Sequence, residues 1–336
     1  MPSRASRYDT AVRILLSILF ILLCGLTASG EEPRLKFDGK RQMTATLVPL
    51  DSSQPERRTV GKLTYLGGVR LTSPLWAFGG FSSMQVRGDH FSLLSDGGHV
   101  VQFRMGSDLH PFDLHFGALS AGPGTGWSKI DRDSESQTVD PATGQTWVGF
   151  EATNAIWRYD AAGRPQAHAE PKVMADWSVN GGPESLVRLR NGRFLTISET
   201  SRPPHGKDKR IGVIFAGDPT DPRVGWSKFA YQPPVGYDPT DMTELPDGRF
   251  LVLNRRATIA DLFTAKLVLI DRADIKPGGT AIGREIATFA APLLHDNFEA
   301  LAVTQEEGAT IVWIASDDNR EWFEQSLLLK FRLDLP

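Results

Sequence analysis

The sequence predicts an all-β fold, a β-propeller, on three observations. A hairpin pattern recurs five times, and its opening positions Ser82, Glu135, Glu184, Thr240 and Glu299 lie 53, 49, 56 and 59 residues apart. Every copy is strand-rich and turns at a glycine. Beyond the N-terminus no stretch sustains the i, i+3, i+4, i+7 apolar spacing that a helical repeat requires. Strand-rich units at a period near 50 are what one radial blade per unit produces. A β-sandwich pair and an irregular β-solenoid are the rival architectures. Five copies plus the N-terminal region suggest six blades, with five as the alternative.

Residues 1 to 30 read as a signal peptide. Arg4, Arg7 and Arg13 supply a positive leader, the apolar run from Ala11 to Leu26 follows, and Ala28-Ser29-Gly30 offers small residues for cleavage before Glu31. The run is short for a membrane span, so no span is expected after cleavage. Lipidation at Cys24 is disfavoured because Leu23 precedes it. The expected location is the periplasm or the exterior of a bacterium. Cleavage removes the single cysteine and leaves 34 basic against 39 acidic residues, a net charge of −5. No disulfide framework is then available, so residues 31 to 336 must hold together by an ordinary apolar core. The mild acidity, with no basic stripe, gives no support for nucleic acid as a partner. A monomer is the expected form.

Between the signal peptide and the first hairpin, Met43 to Leu50 and Gly61 to Leu71 read as strands flanking a polar loop. They are expected to close the ring in the same or an adjacent blade to the last strand, Leu327 to Leu333, so that no sheet edge stays open. The hairpins follow in order. Ser82 to Asp96 turns at Arg87-Gly88-Asp89, Glu135 to Glu151 at Thr143-Gly144, and Glu184 to Glu199 at Asn191-Gly192. Thr240 to Arg255 contains Leu245-Pro246-Asp247-Gly248-Arg249-Phe250-Leu251, close to the wording of Leu189 to Leu195. Glu299 to Asp317 turns near Glu306-Glu307-Gly308. The basic loop Ser201 to Arg210 leaves the rim after Glu199; it is either a surface insertion or an anion-gathering loop. The eight tryptophans, spread at blade intervals, are expected in the core between sheets rather than as a sugar platform.

A hairpin returns the chain to the edge it left, so the opening and closing positions of each copy share one rim. Asp96, Glu135, Glu151, Glu184, Glu199, Glu299 and Asp317 occupy such positions, and Arg255 closes the fourth copy. If the hairpins are the innermost strands, these carboxylates converge on one mouth of the central channel. Like charges gathered there either take up protons or hold a cation. An oxygen-only set, with Asn254 or Asn319 nearby, suits Ca²⁺ better than zinc. The competing reading is that the acids cap turns or pair with Arg249, Arg255 and Arg256. The histidines form no pair at metal spacing apart from His110 and His115, which read as loop residues. A serine-nucleophile elbow and a phosphate-cradling Gly-Lys-Ser/Thr loop are both absent.

Three segments carry a resemblance: Phe78-Gly79-Gly80-Phe81-Ser82-Ser83-Met84 with Leu94-Ser95-Asp96-Gly97, Gly182-Pro183-Glu184-Ser185-Leu186, and Asn297-Phe298-Glu299-Ala300-Leu301-Ala302 with Ile314-Ala315-Ser316-Asp317-Asp318-Asn319. Together they resemble the phytase-like family described as having "esterase-like activity of phytase", from about Gly61 to Leu333. The resemblance implies an exported propeller similar to calcium-dependent phytases, acting on a small anionic ester. On that reading Glu299, Glu184 and Arg255 are the catalytic candidates, and Asp96, Glu135, Glu151, Glu184, Glu199, Glu299 and Asp317 the metal candidates. A non-catalytic binding propeller and a lactonase-like hydrolase stand as alternatives. The fourth copy departs from the pattern: Pro239-Thr240-Asp241 shifts its acid by one residue, which turns it to the other face of the strand.

Overall fold

The computed structural model describes residues 33 to 335, so the expected signal peptide, with Cys24, lies outside the described residues. Arg34–Pro336 forms one compact unit. Its strands build five sheets that stand as five blades. Blade 1 is Phe81–Arg87, His90–Ser95, His99–Met105 and Pro111–Ala118. Blade 2 is Ser134–Val139, Thr146–Phe150, Ala155–Tyr159 and Pro165–Ala169. Blade 3 is Val187–Arg188, Phe194–Ile197, Arg210–Phe215 and Trp226–Gln232, with Thr280–Ile282 added in parallel outside. Blade 4 is Asp238–Glu244, Phe250–Thr258, Leu262–Ile270 and Arg284–Phe289.

Blade 5 joins both ends of the chain. Its inner strands are Phe298–Glu306 and Ala309–Ser316; then come Leu327–Leu333, Leu63–Thr72 and Thr44–Leu47. The register runs from Leu327 opposite Arg70 to Leu333 opposite Leu63. The expected closure by terminal strands is therefore present, and it corrects the six-blade expectation. Leu63–Thr72 serves as the fourth strand of blade 5, so the N-terminal region has no inner hairpin left with which to found a blade. The first strands of blades 1 to 5 touch in cyclic order, and the last touches the first.

Alternation within the strands sends apolar residues into the spaces between neighbouring sheets, where the core lies. Leu251, Leu253, Leu267 and Phe289 of blade 4 pack with Leu301, Val312, Leu329 and Phe331 of blade 5. Phe91 and Phe103 of blade 1 stack at 5.2 Å between ring centroids, and Trp313 of blade 5 meets Phe91 edge-on at 4.8 Å. The tryptophan expectation holds only in part. Trp147, Trp177 and Trp313 are buried, whereas Trp76, Trp127, Trp226 and Trp322 are exposed. Of these four, Trp76, Trp127 and Trp322 lie in connections between strands, and Trp226 opens an outer strand.

One irregularity repeats in all five inner hairpins. The register shifts by one residue between Phe81 and Ser83, between Ser134 and Ser136, between Pro239 and Asp241, and between Phe298 and Ala300. In blade 3, Pro183 bridges Ser198 while Val187 pairs with Leu195, so three residues oppose two. Each first strand thus carries a bulge at its entry, and bulges re-aim side chains at the rims of sheets. The bulged residues in blades 1, 2, 4 and 5 are Ser82, Glu135, Thr240 and Glu299. Hydroxyls near these bulges tie blade to blade. Ser82 Oγ donates to the carbonyl of Ser134 at 2.6 Å, Ser136 Oγ to that of Pro183, and Thr240 Oγ1 to that of Phe298 at 3.2 Å.

Candidate metal centre

Because each first strand starts at the end of the channel where its partner finishes, the bulges and the closing residues share one mouth. A cavity of about 340 Å³ opens there. All eight residues singled out from the sequence line it: Asp96, Glu135, Glu151, Glu184, Glu199, Arg255, Glu299 and Asp317. Asp133, Lys129 and Asn319 complete the wall. Asn319 was one of the two candidate asparagines. The other, Asn254, is buried elsewhere and accepts a hydrogen bond from Tyr231 Oη at 2.9 Å.

Sequence reasoning missed Asp133 and Lys129. Asp133 follows a short 3₁₀ turn, Lys129–Arg132, and stands two residues before Glu135. The alternation Asp133-Ser134-Glu135 was a usable signal, since residues two apart on extended chain face the same way. Lys129 left no such trace. Its Nζ reaches Asp96 Oδ2 at 2.6 Å from the first residue of that turn.

Other acids near the rim serve the fold. Asp318 accepts hydrogen bonds from the Gly80 N–H and Ser326 Oγ, at 2.9 and 2.7 Å. Asp241, displaced by one residue from the repeat, points away from the mouth as the one-residue shift predicts. Its buried carboxylate accepts from the N–H groups of Met242 and Leu301, both at 2.7 Å, and so ties blade 4 to blade 5. Asp241→Ala would leave both amides unsatisfied, and a loss of about 2–4 kcal/mol is expected in urea unfolding. A change below about 0.5 kcal/mol would show that the tie carries nothing. Arg249 and Arg256 pair with Asp247 and Asp261, away from the cavity wall, so only Arg255 meets the mouth carboxylates as the competing reading supposed.

The mouth has two unlike sectors. On one side Arg255 spans Glu299 and Glu199, with Nη1 at 2.5 Å from Glu299 Oε1 and Nη2 at 2.6 Å from Glu199 Oε1. Nη1 also donates to Asn297 Oδ1 at 2.7 Å. Burial works against this guanidinium, but Glu299, Glu199 and Glu184 together hold its pKa above the usual range. Lys129 and Arg320 meet Asp96, at 2.6 and 3.3 Å, and the Lys129 charge also acts on Asp133 and Glu135. On the other side, Asp133, Glu135, Glu151 and Glu184 have no cationic partner within ion-pair distance among the described residues.

The consequence appears in their proton affinities. Burial pushes Asp133 up to about 6 against the Lys129 charge, and burial reinforced by the Asp133 and Glu199 charges pushes Glu151 up to about 7. Glu135 and Glu184 rise well above the carboxylate range, by burial first and then by Glu184 on Glu135 and Glu199 on Glu184. Glu299 is pushed up to about 7 by burial despite Arg255, and Asp317 rises well above its normal value through burial and the Glu299 charge.

Two groups of three bring their oxygens together, and the second takes Glu199 from the Arg255 side. In Asp133, Glu135 and Glu151, one carboxylate oxygen from each lies within 4.8 Å of the others, and the same holds for Glu151, Glu184 and Glu199. Glu151 is common to both. An oxygen-only donor set in which four of five carboxylates have no cation within ion-pair distance fits a hard divalent cation.

A family model described as "Esterase-like activity of phytase" matches residues 77–320, nearly three quarters of the chain. The chain belongs to this phytase-like family. No curated protein matches the phytase-like chain. Among solved structures, a Bacteroides thetaiotaomicron VPI-5482 protein of unknown function is 13% identical, covering 87% of this chain and 76% of that one with a TM-score of 0.47. The β-propeller domain of Myceliophteria thermophila Cps50 (Swd1) is 12% identical, covering 74% of this chain and 71% of that one with a TM-score of 0.37. Kuenenia stuttgartiensis hydrazine synthase is 14% identical, covering 69% of this chain and 62% of that one, again with a TM-score of 0.37.

Proposed function

We propose that this phytase-like propeller is an exported, calcium-dependent hydrolase of small anionic esters, phosphate esters first among them, with its reaction at the acidic mouth. The observation that carries the proposal is the pair of oxygen groups sharing Glu151, in which four of the five carboxylates have no cation within ion-pair distance among the described residues. Asp133, Glu135, Glu151, Glu184 and Glu199 would hold the ion. Asp96 and Asp317 line the same cavity, Asp96 already paired with Lys129, and would complete the negative field around it. A bound calcium would supply Lewis-acid polarisation of the ester oxygen and charge neutralisation.

The chain's own residues do the rest. Glu299 is fixed by Arg255, and its carboxyl is poised near neutrality, which suits a group that accepts a proton from water and returns it to the leaving oxygen. Glu184, more deeply buried, takes the second proton-handling position. Arg255 sets the orientation of Glu299 and Glu199 and, with Lys129, presents positive charge to an anionic substrate. Apolar surface is nearly absent from the cavity wall, which favours a small polar group over a greasy one as the part that enters.

Hydrolysis of a panel of phosphate, carboxylate and lactone esters, each with calcium and with chelator, tests the proposal. Turnover of the phosphate esters that chelator abolishes is expected. Turnover of lactones alone would favour the lactonase-like reading. A folded, calcium-binding protein that turns over none of them would make the mouth a binding site and the ion a structural plug.

A further inference from the structure

We propose that the end of the central channel opposite the acidic mouth is a second binding site, for a small organic molecule bearing a phosphate or carboxylate group. The first strands enter at the acidic mouth and run to the hairpin turns, so their last residues surround the other end. A cavity of about 260 Å³ lies there, walled by residues from all five blades. That is a little below the roughly 300 Å³ at which pockets for drug-sized ligands begin, so the occupant is small. The two cavities share no wall residue.

Charge on this wall favours an anion. Arg87 closes the first strand of blade 1, Arg188 closes that of blade 3, and Arg190 sits in the turn that follows it. Only Arg188 has a carboxylate beside it, Asp140 at 3.3 Å. Arg87 and Arg190 are exposed, and neither has a carboxylate within ion-pair distance among the described residues. The acids of the wall are already engaged. Asp241 accepts the N–H groups of Met242 and Leu301, and Glu244 accepts the Arg190 N–H at 2.9 Å and lies 3.9 Å from Arg272. Around the wall, in the inner turns, Asp89, Asp247 and Glu306 pair with Arg104, Arg249 and Lys330. Three arginines, Arg87, Arg190 and Arg193, then stand against one acid, Glu307, as the charges of these turns without an ion-pair partner among the described residues. A guanidinium presents N–H donors in a fork that matches an oxyanion. Thr138 adds a further donor, since its Oγ1 accepts the Arg188 N–H at 2.9 Å and keeps its own proton to give. Val86, Met242 and Leu301 in the same wall offer an apolar seat to the rest of the molecule, which is why an organic anion fits better than a bare one. This site depends neither on a metal nor on turnover at the acidic mouth.

Phenylphosphonate and benzoate are the probes, because each joins an oxyanion to an apolar ring and has no ester to hydrolyse. Residues 34 to 336, the compact unit, would carry ¹³C at the methionine methyls and be titrated with each probe in chelator. Met242 is the one methionine of the wall, whereas Met43, Met84, Met105 and Met174 are buried elsewhere. A saturable shift of the Met242 signal, with the other four unmoved, is expected from at least one probe, and the tighter probe names the anionic group. Met242→Leu assigns the signal. Arg87→Gln and Arg190→Gln should each weaken binding by roughly tenfold, the loss of one charge-assisted contact. Glu151→Gln, at the other end of the channel, should leave the affinity unchanged. Calcium binding should stay at wild-type level in both arginine variants, which separates failure here from failure of the ester reading. A Met242 signal that neither probe moves in the wild type would overturn the proposal, as would folded arginine variants that bind as well as it does. An equal shift with benzylamine would overturn the anionic assignment, and inorganic phosphate binding as tightly as phenylphosphonate would overturn the apolar seat.

Discussion

Glu151→Gln should stabilise the protein in chelator and cripple it in calcium. Glu151 belongs to both oxygen groups, so its loss removes a ligand from each, and calcium affinity is expected to fall by at least about 100-fold. Without metal the same side chain is one of four acids with no cation within ion-pair distance among the described residues. Neutralising it relieves repulsion from Asp133 and Glu199, the charges that help raise its pKa. A gain of roughly 1–2 kcal/mol at about pH 8 is expected, a few degrees in Tm. Glutamine keeps an acceptor for the Gly182 N–H, which lies 3.4 Å from Glu151 Oε1. Arg255→Met should do the reverse, with a loss of about 3–5 kcal/mol, because it strands Glu199 and Glu299 in the wall without their cation. Thermal unfolding with and without calcium reads both. An unstable Glu151→Gln protein in chelator would mean that the carboxylate serves the fold and not a metal.

The second large effect is on pH dependence. Glu151 and Glu299 are pushed up to about 7 and Asp133 to about 6 in the folded protein, and burial raises Glu135, Glu184 and Asp317 well above the usual carboxylate range. Unfolded, all six return to about 4. Between those values the folded state binds more protons, so these groups contribute stability that is full below about pH 4 and lost as the pH climbs through the folded values. The metal-free protein should therefore weaken steadily from about pH 5 to pH 8. Calcium takes the place of the protons, so the decline should vanish when it is saturating. At the acid end the sign is opposite. Asp221, held down at about 2 chiefly by Arg223, contributes stability that disappears as the pH falls below about 4. An optimum near pH 5 in chelator, shifting to neutrality in calcium, is expected from Tm profiles. Superimposable profiles with and without calcium would sink the metal reading.

The repeat was legible because two strands joined by a short turn must return to one rim, and because the turn glycines take the conformation such turns require: Gly88, Gly144, Gly192, Gly248 and Gly308 all have positive φ. The convergence of carboxylates followed from that geometry alone. The displaced Asp241 was legible for the same reason, since strand alternation has period two. Blade number was not, because Leu63–Thr72 reads equally well as an outer strand of blade 5 or as the start of another blade, and only its pairing with Leu327–Leu333 decides. Lys129 was hidden because a single 3₁₀ turn in a connection between blades has no period to read. The bulges were hidden too, although they are what aims Glu135 and Glu299 into the channel. A bulge changes register without changing composition, so glutamate after serine or phenylalanine looks like ordinary alternation. The exposed tryptophans misled for a related reason: spacing at blade intervals describes strands and the connections between them equally well.

The most direct measurement is a calorimetric titration of calcium into residues 34 to 336 after chelator treatment, near neutral pH, beside the Glu151→Gln variant. Saturable binding by the wild type, with proton uptake or release that changes with pH, and at least about 100-fold weaker binding by the variant, is the predicted result. No calcium binding by a folded wild-type protein, or equal binding by the two, would contradict the assignment of the acidic mouth as a metal centre.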